Sequence, residues 1–244
     1  MLLRVMPLCV LGLVANAQEG GDLEAQILYA YHIEDANELA SMVQLLSARE
    51  QAGDTATALR YHLAHTEYRL GLLGGEQRGH KAEWAFAACA DELKAVIEKD
   101  PKSVETLALQ GACDGNLARY RKVERLLLDA RSLERLASAA KLAPHNPRVV
   151  YLRAVDGLMR YKLGSTENQV AFEELQQAAQ LFEQAPPTNP DVPGWGQAEA
   201  YLELGRQLQI RGDVLGARNW IEKSLLVAPH FKAAQRQLGT VARH

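Results

Sequence analysis

The chain of 244 residues is poor in aromatic residues, which make up 6%, and its net charge is only −3. So small a charge excludes a dedicated nucleic-acid-binding protein, because no basic excess is present to neutralise phosphates. Few aromatic residues beside many Leu and Ala favour helices over strands. After residue 17 no apolar run approaches the ~18 residues that a bilayer span needs, so we expect no stable membrane insertion of the processed chain.

The motifs of common enzymes and metal sites are also missing. The sequence contains no Gly-rich phosphate loop, dinucleotide fingerprint, Gly-x-Ser-x-Gly, His-Glu-x-x-His or Cys-x-x-Cys. His62 and His65 share a helix face, but a metal site needs three or four converging ligands, so we interpret both as histidines of an amphipathic helix. We therefore expect no catalytic residue, no metal and no cofactor.

Residues 1–17 have the three parts of a secretory signal peptide. Arg4 gives the positive start, residues 5–14 are apolar, and residues 15–17, Ala-Asn-Ala, form a cleavage pattern. We expect this segment to be removed and the domain of residues 18–244 to be exported to a periplasm or secreted. Such a compartment is oxidising.

The rest of the chain has apolar residues at helical spacing, separated by Gly and Pro. No segment alternates apolar and polar residues as a half-buried strand does. The pattern therefore predicts an all-α protein of about ten helices. They are expected at 35–52, 54–73, 80–99, 103–119, 124–142, 148–162, 167–184, 196–211, 213–228 and 231–242, with a further one at 22–33.

A repeat is clearest near the end of the chain. A Leu-Gly pair at 204–205 recurs 34 residues later at 238–239. Between them a Gly-Asp pair at 212–213 indicates a turn, and Pro229 ends the next helix because proline disfavours helical backbone in the residue before it. Such a fixed period indicates helix pairs that stack on one another.

Residues 198–231 resemble a tetratricopeptide repeat (TPR). The first helix of that family has a bulky residue, a Leu-Gly pair and another bulky residue; the second has small, large and small residues before a closing proline. The matching positions here are Tyr201, Leu204, Gly205, Leu208, Ala217, Ile221, Ser224 and Pro229. The layout also resembles small exported bacterial TPR proteins of unassigned function, which enter their last repeat through a Pro-x-Trp-Gly segment, here 193–196.

The resemblance implies a right-handed α-solenoid of antiparallel helix pairs, with its best-formed repeat at 198–231 and a terminal helix at 231–242. Family geometry places the first helix of each pair along a concave groove. The residues it assigns to the groove are Glu199, Leu202, Arg206 and Gln209 in the last repeat, and Tyr151 and Asn116 in earlier ones. Their mixed polarity suits a peptide or an extended chain, so we expect a protein or peptide partner.

Cys89 and Cys113 are the only cysteines after residue 17, and they flank the predicted turn at Pro101. In an antiparallel helix hairpin they lie nearly level, and an oxidising compartment permits a disulfide between them. The alternative is that both are small buried residues that fill tight helix contacts. The sequence leaves both interpretations open.

Two further segments each have two interpretations. Residues 119–141 are basic, which fits a patch for an anionic partner; the interleaved acidic residues favour a solvated helix face with ion pairs. Residues 185–196 hold four of the nine prolines. They form either a recognition loop or a rigid connector whose Trp195 packs into the last repeat, and the resemblance favours the connector.

Three functions follow from these observations, in decreasing order of support. The first is a non-enzymatic exported scaffold that binds a protein segment in its concave groove. The second is a small-ligand-binding accessory subunit of a periplasmic transport system, which a closed apolar pocket would favour. The third, an enzyme such as a helical cell-wall hydrolase, needs a buried acid of raised pKa in a cleft, and the sequence offers no good candidate.

Overall fold

The computed structural model describes residues 22–76, 80–185 and 194–241, and within these ranges every regular element is helical. The predicted signal peptide and most of the proline-rich segment lie outside them. The helices are α1 (22–32), α2 (Ala36–Gln51), α3 (Thr57–Glu76), α4 (His80–Lys99), α5 (Val104–Leu117), α6 (Arg125–Leu142), α7 (Pro147–Arg160), α8 (Thr166–Gln184), α9 (Gln197–Ile210), α10 (Val214–Val227) and α11 (Lys232–Val241). In the same ranges, no helix combines the length and the apolar character that a bilayer span requires.

Consecutive helices pack as pairs. Helix α3 packs on α4, α5 on α6, α7 on α8 and α9 on α10, and α4, α5 and α8 also contact the pair that follows. One large core cluster runs through the middle of the stack from α3 to α9. Because a single pair cannot bury its apolar face alone, each pair depends on its neighbours. The structure confirms the predicted all-α solenoid, with helix ends within a few residues of the expected ones.

Polar caps and turn residues define the helix ends. The carboxylate of Asp213 accepts the N–H of Gly216 at 2.8 Å and so caps α10. Gly212, just before it, has a φ of +86°, a left-handed conformation that glycine adopts without strain. Asn146 caps α7 in the same way ahead of Pro147, whose missing N–H costs nothing in a first turn. The breakers identified in the sequence are therefore the residues that end and start helices.

Glycines on the first helix of a pair permit close approach of the second. A Cβ on Gly205 would lie 2.6 Å from a side-chain carbon of Ile221 and 3.0 Å from the carbonyl oxygen of Ala217, so α9 and α10 touch through backbone. A Cβ on Gly111 would lie 2.8 Å from Leu136 across the α5–α6 contact. The shared glycine position is a packing requirement of the repeat.

The two ends of the solenoid meet through α1. Its His32 ring lies 4.4 Å from the ring of Phe231, and its Tyr31 ring lies 5.9 Å from the same ring. Glu34, just beyond α1, pairs with Arg236 of α11 at 2.7 Å. Helix α1 therefore bridges the first helix pairs and the last repeat, a contact that the repeat pattern does not predict.

Candidate functional site

Trp195 is buried where α1, α3 and the start of α9 converge. Only 1% of it is exposed. Its ring stacks on the imidazole of His65 with centroids 4.9 Å apart, and its Nε1–H donates to the hydroxyl of Tyr61 at 3.1 Å. The expected burial of Trp195 is therefore found, but its stacking partners belong to α3 and not to the last repeat.

The backbone around Trp195 is fixed by charged side chains. Glu24 of α1 accepts the N–H groups of Gly194 and Trp195 at 2.8 and 3.1 Å. Burial raises the pKa of Glu24, and these two hydrogen bonds oppose the rise. Gly196 has a φ of +105° and lies against the ring of Phe182, which leaves no room for a Cβ. The segment 194–196 is thus held by α1 on one side and α8 on the other.

Arg69 is the buried cation of this region. Its guanidinium carbon lies 4.5 Å from the ring centroid of Tyr31 and 4.9 Å from that of Trp195, so the charge is held between two aromatic faces. Its Nη2 lies 2.9 Å from a carboxylate oxygen of Glu199, and its Nε donates to Nε2 of His65 at 3.0 Å. Burial, followed by the nearby charge of Arg69, holds the pKa of His65 well below its usual value.

Glu199 is the anion that completes this arrangement. Besides Arg69 it contacts Nε2 of His32 at 3.3 Å and accepts the N–H of Gly196 at 3.1 Å, a capping-box contact at the start of α9. Burial alone would raise the pKa of Glu199, but Arg69 and His32 outweigh it and hold that pKa far below the usual range. We call Trp195, Arg69, Glu199, His65 and His32 the central cluster.

Four of the six predicted groove residues line one cleft beside this cluster. These are Tyr151, Glu199, Leu202 and Arg206. Tyr31 and Phe231 close its other side, and its volume is about 60 Å³. Tyr151, Glu199 and Leu202 are buried, while Arg206 is partly exposed at the mouth. We call this the concave cleft.

The other two predicted groove residues lie elsewhere. Asn116 is buried, and its side-chain amide donates to the carbonyl of Ala112 within α5 at 2.9 Å. Gln209 is partly exposed and bonds to the side chain of Gln237 on α11. Neither lines the concave cleft, so any role of these two in binding stays a prediction.

A second, larger cleft lies on the other side of α1. Its volume is about 350 Å³ and its walls are mainly apolar. Ala25, Leu28 and Tyr29 of α1 form one wall, and Val227 with the Pro229 turn forms another. No pattern in the sequence indicates it, because it depends on α1 packing near the α10–α11 turn. We call it the apolar cleft.

Cys89 and Cys113 form a disulfide in the structure, with their Cα atoms 6.2 Å apart. Both are fully buried in the contact between α4 and α5. The two cysteines therefore lie at the same height on the antiparallel helices α4 and α5, as a disulfide between them requires. The bond links two consecutive helix pairs.

Glu67 is a buried acid that the sequence did not reveal as a candidate. It is 4% exposed, and burial, with Glu92 and Glu50 nearby, raises its pKa to about 9. It lines neither the concave cleft nor the apolar cleft. His62, on the same helix, has a pKa lowered by burial, and the described ranges hold no group of three side chains suited to a metal ion.

Comparison with known proteins identifies the fold. No protein-family model matches the chain, and no curated protein is significantly similar to it in sequence. The crystal structure of a thermophilic TPR protein from Thermus thermophilus superimposes with a TM-score of 0.64, covering 93% of this chain and 100% of that one. The chain has the TPR fold. Sequence identity with that TPR protein is 17%, so the likeness extends to the architecture alone.

Proposed function

We propose that this protein is a non-enzymatic, exported scaffold that binds a segment of another protein at its concave cleft. The observation that carries the proposal is the convergence of Tyr151, Leu202 and Arg206 on one cleft of the TPR fold. Residues from α7 and α9 meet there although they are about 50 positions apart in the sequence. A surface assembled from several repeats suits an extended partner that contacts several repeats at once.

The size of the concave cleft favours a protein segment over an enclosed ligand. Small-molecule sites usually have volumes of about 300–1,000 Å³, whereas this cleft has about 60 Å³. It accommodates the end of one side chain, while the rest of the segment lies across the mouth. Glu203 and Arg206 line that mouth and offer both signs of charge.

The central cluster supports the same function by keeping the cleft rigid. Glu199 forms the floor and is fixed by Arg69, His32 and the Gly196 N–H. A preformed site loses little conformational entropy when its partner binds. A few anchoring contacts then suffice for useful affinity.

The binding proposal is tested with two matched charge reversals, Arg206→Glu in the cleft mouth and Arg218→Glu on the outer face of α10. Arg206 is partly exposed and Arg218 is exposed, and each pairs with one glutamate, Glu203 and Glu222 respectively. Proteins captured by crosslinking in the exported fraction are identified, and the affinity of the captured partner is then measured with purified components. We expect Arg206→Glu to weaken binding about tenfold or more, and Arg218→Glu to leave it within about twofold. Equal affinity for both variants would exclude the cleft as the binding site.

Export is proposed from residues 1–17 and is tested separately. We expect the mass of the protein isolated from the exported fraction to correspond to a chain beginning at Gln18. A chain that keeps residues 1–17 and stays inside the cell would overturn this part of the proposal.

The apolar cleft supports a second candidate, a small-ligand-binding accessory subunit of a periplasmic transport system. Its volume of about 350 Å³ lies within the range of small-molecule sites. Ala25→Trp introduces a bulky ring at an exposed position that lines this cleft. The control, Ala58→Trp, introduces the same ring at an exposed position of α3 that does not line it. If the candidate is correct, small apolar solutes will raise the melting temperature of wild type and Ala58→Trp but not of Ala25→Trp. The absence of any shift in wild type would remove this candidate.

A further inference from the structure

One edge of the solenoid carries apolar side chains that nothing in the described ranges covers. The turn between α5 and α6 and the start of α6 expose Val123, Leu126 and Leu127, with 100%, 85% and 60% of each residue accessible to solvent. Burial normally removes such side chains from water, and full exposure of an aliphatic residue is costly. Three of them within five residues form a patch that requires an explanation.

The neighbouring turns continue the same patch. Arg119, before the α5–α6 turn, lies 3.4 Å from the sulfur of Met159 at the end of α7, and Arg211, after α9, donates to Asn168 of α8 at 2.9 Å. The three turns therefore lie side by side. They add further exposed apolar residues, namely Met159, Tyr161, Leu163, Ile210, Val214 and Leu215. We call residues 119–127, 159–163 and 210–215 the turn edge.

Cations accompany the apolar residues on this edge. Residues 119–125 contain four basic residues and one acidic residue. Arg121 is held by Glu83 and Glu124. Among the described residues, no carboxylate forms an ion pair with Arg119, Lys122 or Lys162, and all three are exposed.

Both interpretations of the basic segment 119–141 thus apply to different parts of it. Arg131 of α6 binds the buried Asp114, and Arg125 pairs with Asp129, as expected of a helix face with ion pairs. The turn that precedes the helix is different, because its cations face solvent beside exposed aliphatic residues. This turn and its two neighbours therefore have the chemistry of a binding surface.

The geometry points to the turn edge as a docking surface for an anionic lipid bilayer. Proteins that lie on membranes combine exposed apolar side chains, which enter the headgroup region, with Lys and Arg, which are attracted to anionic headgroups. Here both kinds of residue lie on the tips of three adjacent turns rather than in a concavity. Such an edge fits an extended planar surface, and the concave cleft on α7 and α9 remains available to another partner.

The proposal is tested by flotation of the purified, processed protein with vesicles of phosphatidylglycerol and phosphatidylcholine, or of phosphatidylcholine alone. The edge variant is Val123→Ser with Leu126→Ser and Leu127→Ser. The control variant is Leu45→Ser with Leu142→Ser and Leu226→Ser, three exposed leucines outside the turn edge. Because all six side chains are exposed, both variants are expected to fold, which circular dichroism verifies.

We expect wild type and the control to bind the anionic vesicles, and the edge variant to lose about tenfold or more in partition coefficient. A second variant, Arg119→Glu with Lys122→Glu, should lose a similar factor, and added salt should weaken the binding of wild type. Equal partition of edge and control variants would overturn the proposal. So would the absence of vesicle binding by wild type, which would assign the edge to a protein partner instead.

Discussion

The α9–α10 hairpin and the closure by α1 are built in different ways. In the hairpin, Gly205 lies against Ile221, and Ser224 donates to the carbonyl of Ala198 at 2.7 Å, so both of these contacts join residues fewer than 30 positions apart. In the closure, Arg69 binds Glu199 and His32 contacts Phe231 across more than 100 residues. The hairpin repeats a local pattern, whereas the closure depends on a few side chains that occur once. Each can therefore be disrupted while the other is left intact.

The largest loss in the free energy of unfolding is expected from Arg69→Met. It leaves the buried Glu199 with only His32 and a backbone N–H as partners, and breaking a buried ion pair costs about 3–5 kcal/mol. Arg218→Met is the matched control, since Arg218 binds Glu222 at 2.8 Å on the exposed surface of α10, where such a pair contributes less than about 1 kcal/mol. The free energy of unfolding from urea titration measures both. Similar losses in the two variants would show that the central cluster does not stabilise the closure.

A smaller effect is expected from Gly205→Ala, which disrupts the hairpin instead. The added Cβ would lie 2.6 Å from Ile221 and 3.0 Å from a backbone oxygen, and overpacking of this kind costs about 1–3 kcal/mol. Gly239→Ala is the control, because among the described residues, apart from its chain neighbours and the backbone of its own helix, no atom lies within 4 Å of the added Cβ. Because Gly239 lies within a helix, the alanine should leave the free energy of unfolding unchanged or raise it by up to about 1 kcal/mol. Calorimetric melting of both variants tests the contrast, and equal melting temperatures would contradict it.

The smallest change in the free energy of unfolding is expected from a comparison of two buried glutamates, Glu199 and Glu67. Glu199 has a cationic partner, and its pKa is lowered; no cation of the described residues pairs with Glu67, and burial raises the pKa of Glu67 to about 9. An unfolded glutamate titrates near 4.3, so between pH ~4.3 and ~9 only the folded protein keeps the Glu67 proton, and stability falls as pH rises. Glu67→Gln cannot lose a proton and should be about 1–2 kcal/mol more stable than wild type at pH 8.

Urea titration at two pH values tests this prediction. At pH 4 the unfolded glutamate is largely protonated as well, so the advantage of Glu67→Gln should disappear. Glu173→Gln, at an exposed position of α8, should change stability little at either pH. A pH-independent effect of Glu67→Gln would mean that Glu67 is ionised in the folded protein.

The hairpin could be predicted from the sequence because its determinants are close together. Gly212 and Asp213 form the turn, Pro229 ends α10, and Gly205 marks the helix contact. These residues act through backbone conformation and size, which are properties of the residue type itself. The concave cleft was partly predictable for the same reason, since repeat geometry assigns Leu202 and Arg206 to one helix face.

The closure could not be predicted because it depends on pairs remote in sequence. The sequence around Arg69 in α3 gives no indication that its anion is Glu199 or that Trp195 covers it. A single sequence shows periodicity but not long-range pairing. The same limit applies to the apolar cleft, whose walls come from α1 and the α10–α11 turn.

Hydrogen exchange of the α1 amides in the wild-type protein tests the central claim, closure of the solenoid by α1, most directly. If α1 is held by the central cluster and by Phe231, its amides should exchange as slowly as those of α9, because both open together. Without these contacts α1 would be a single helix packed at one edge, and its amides would exchange rapidly through local opening. Slow exchange in α1 is the result the closure predicts; exchange in α1 many times faster than in α9 would contradict it.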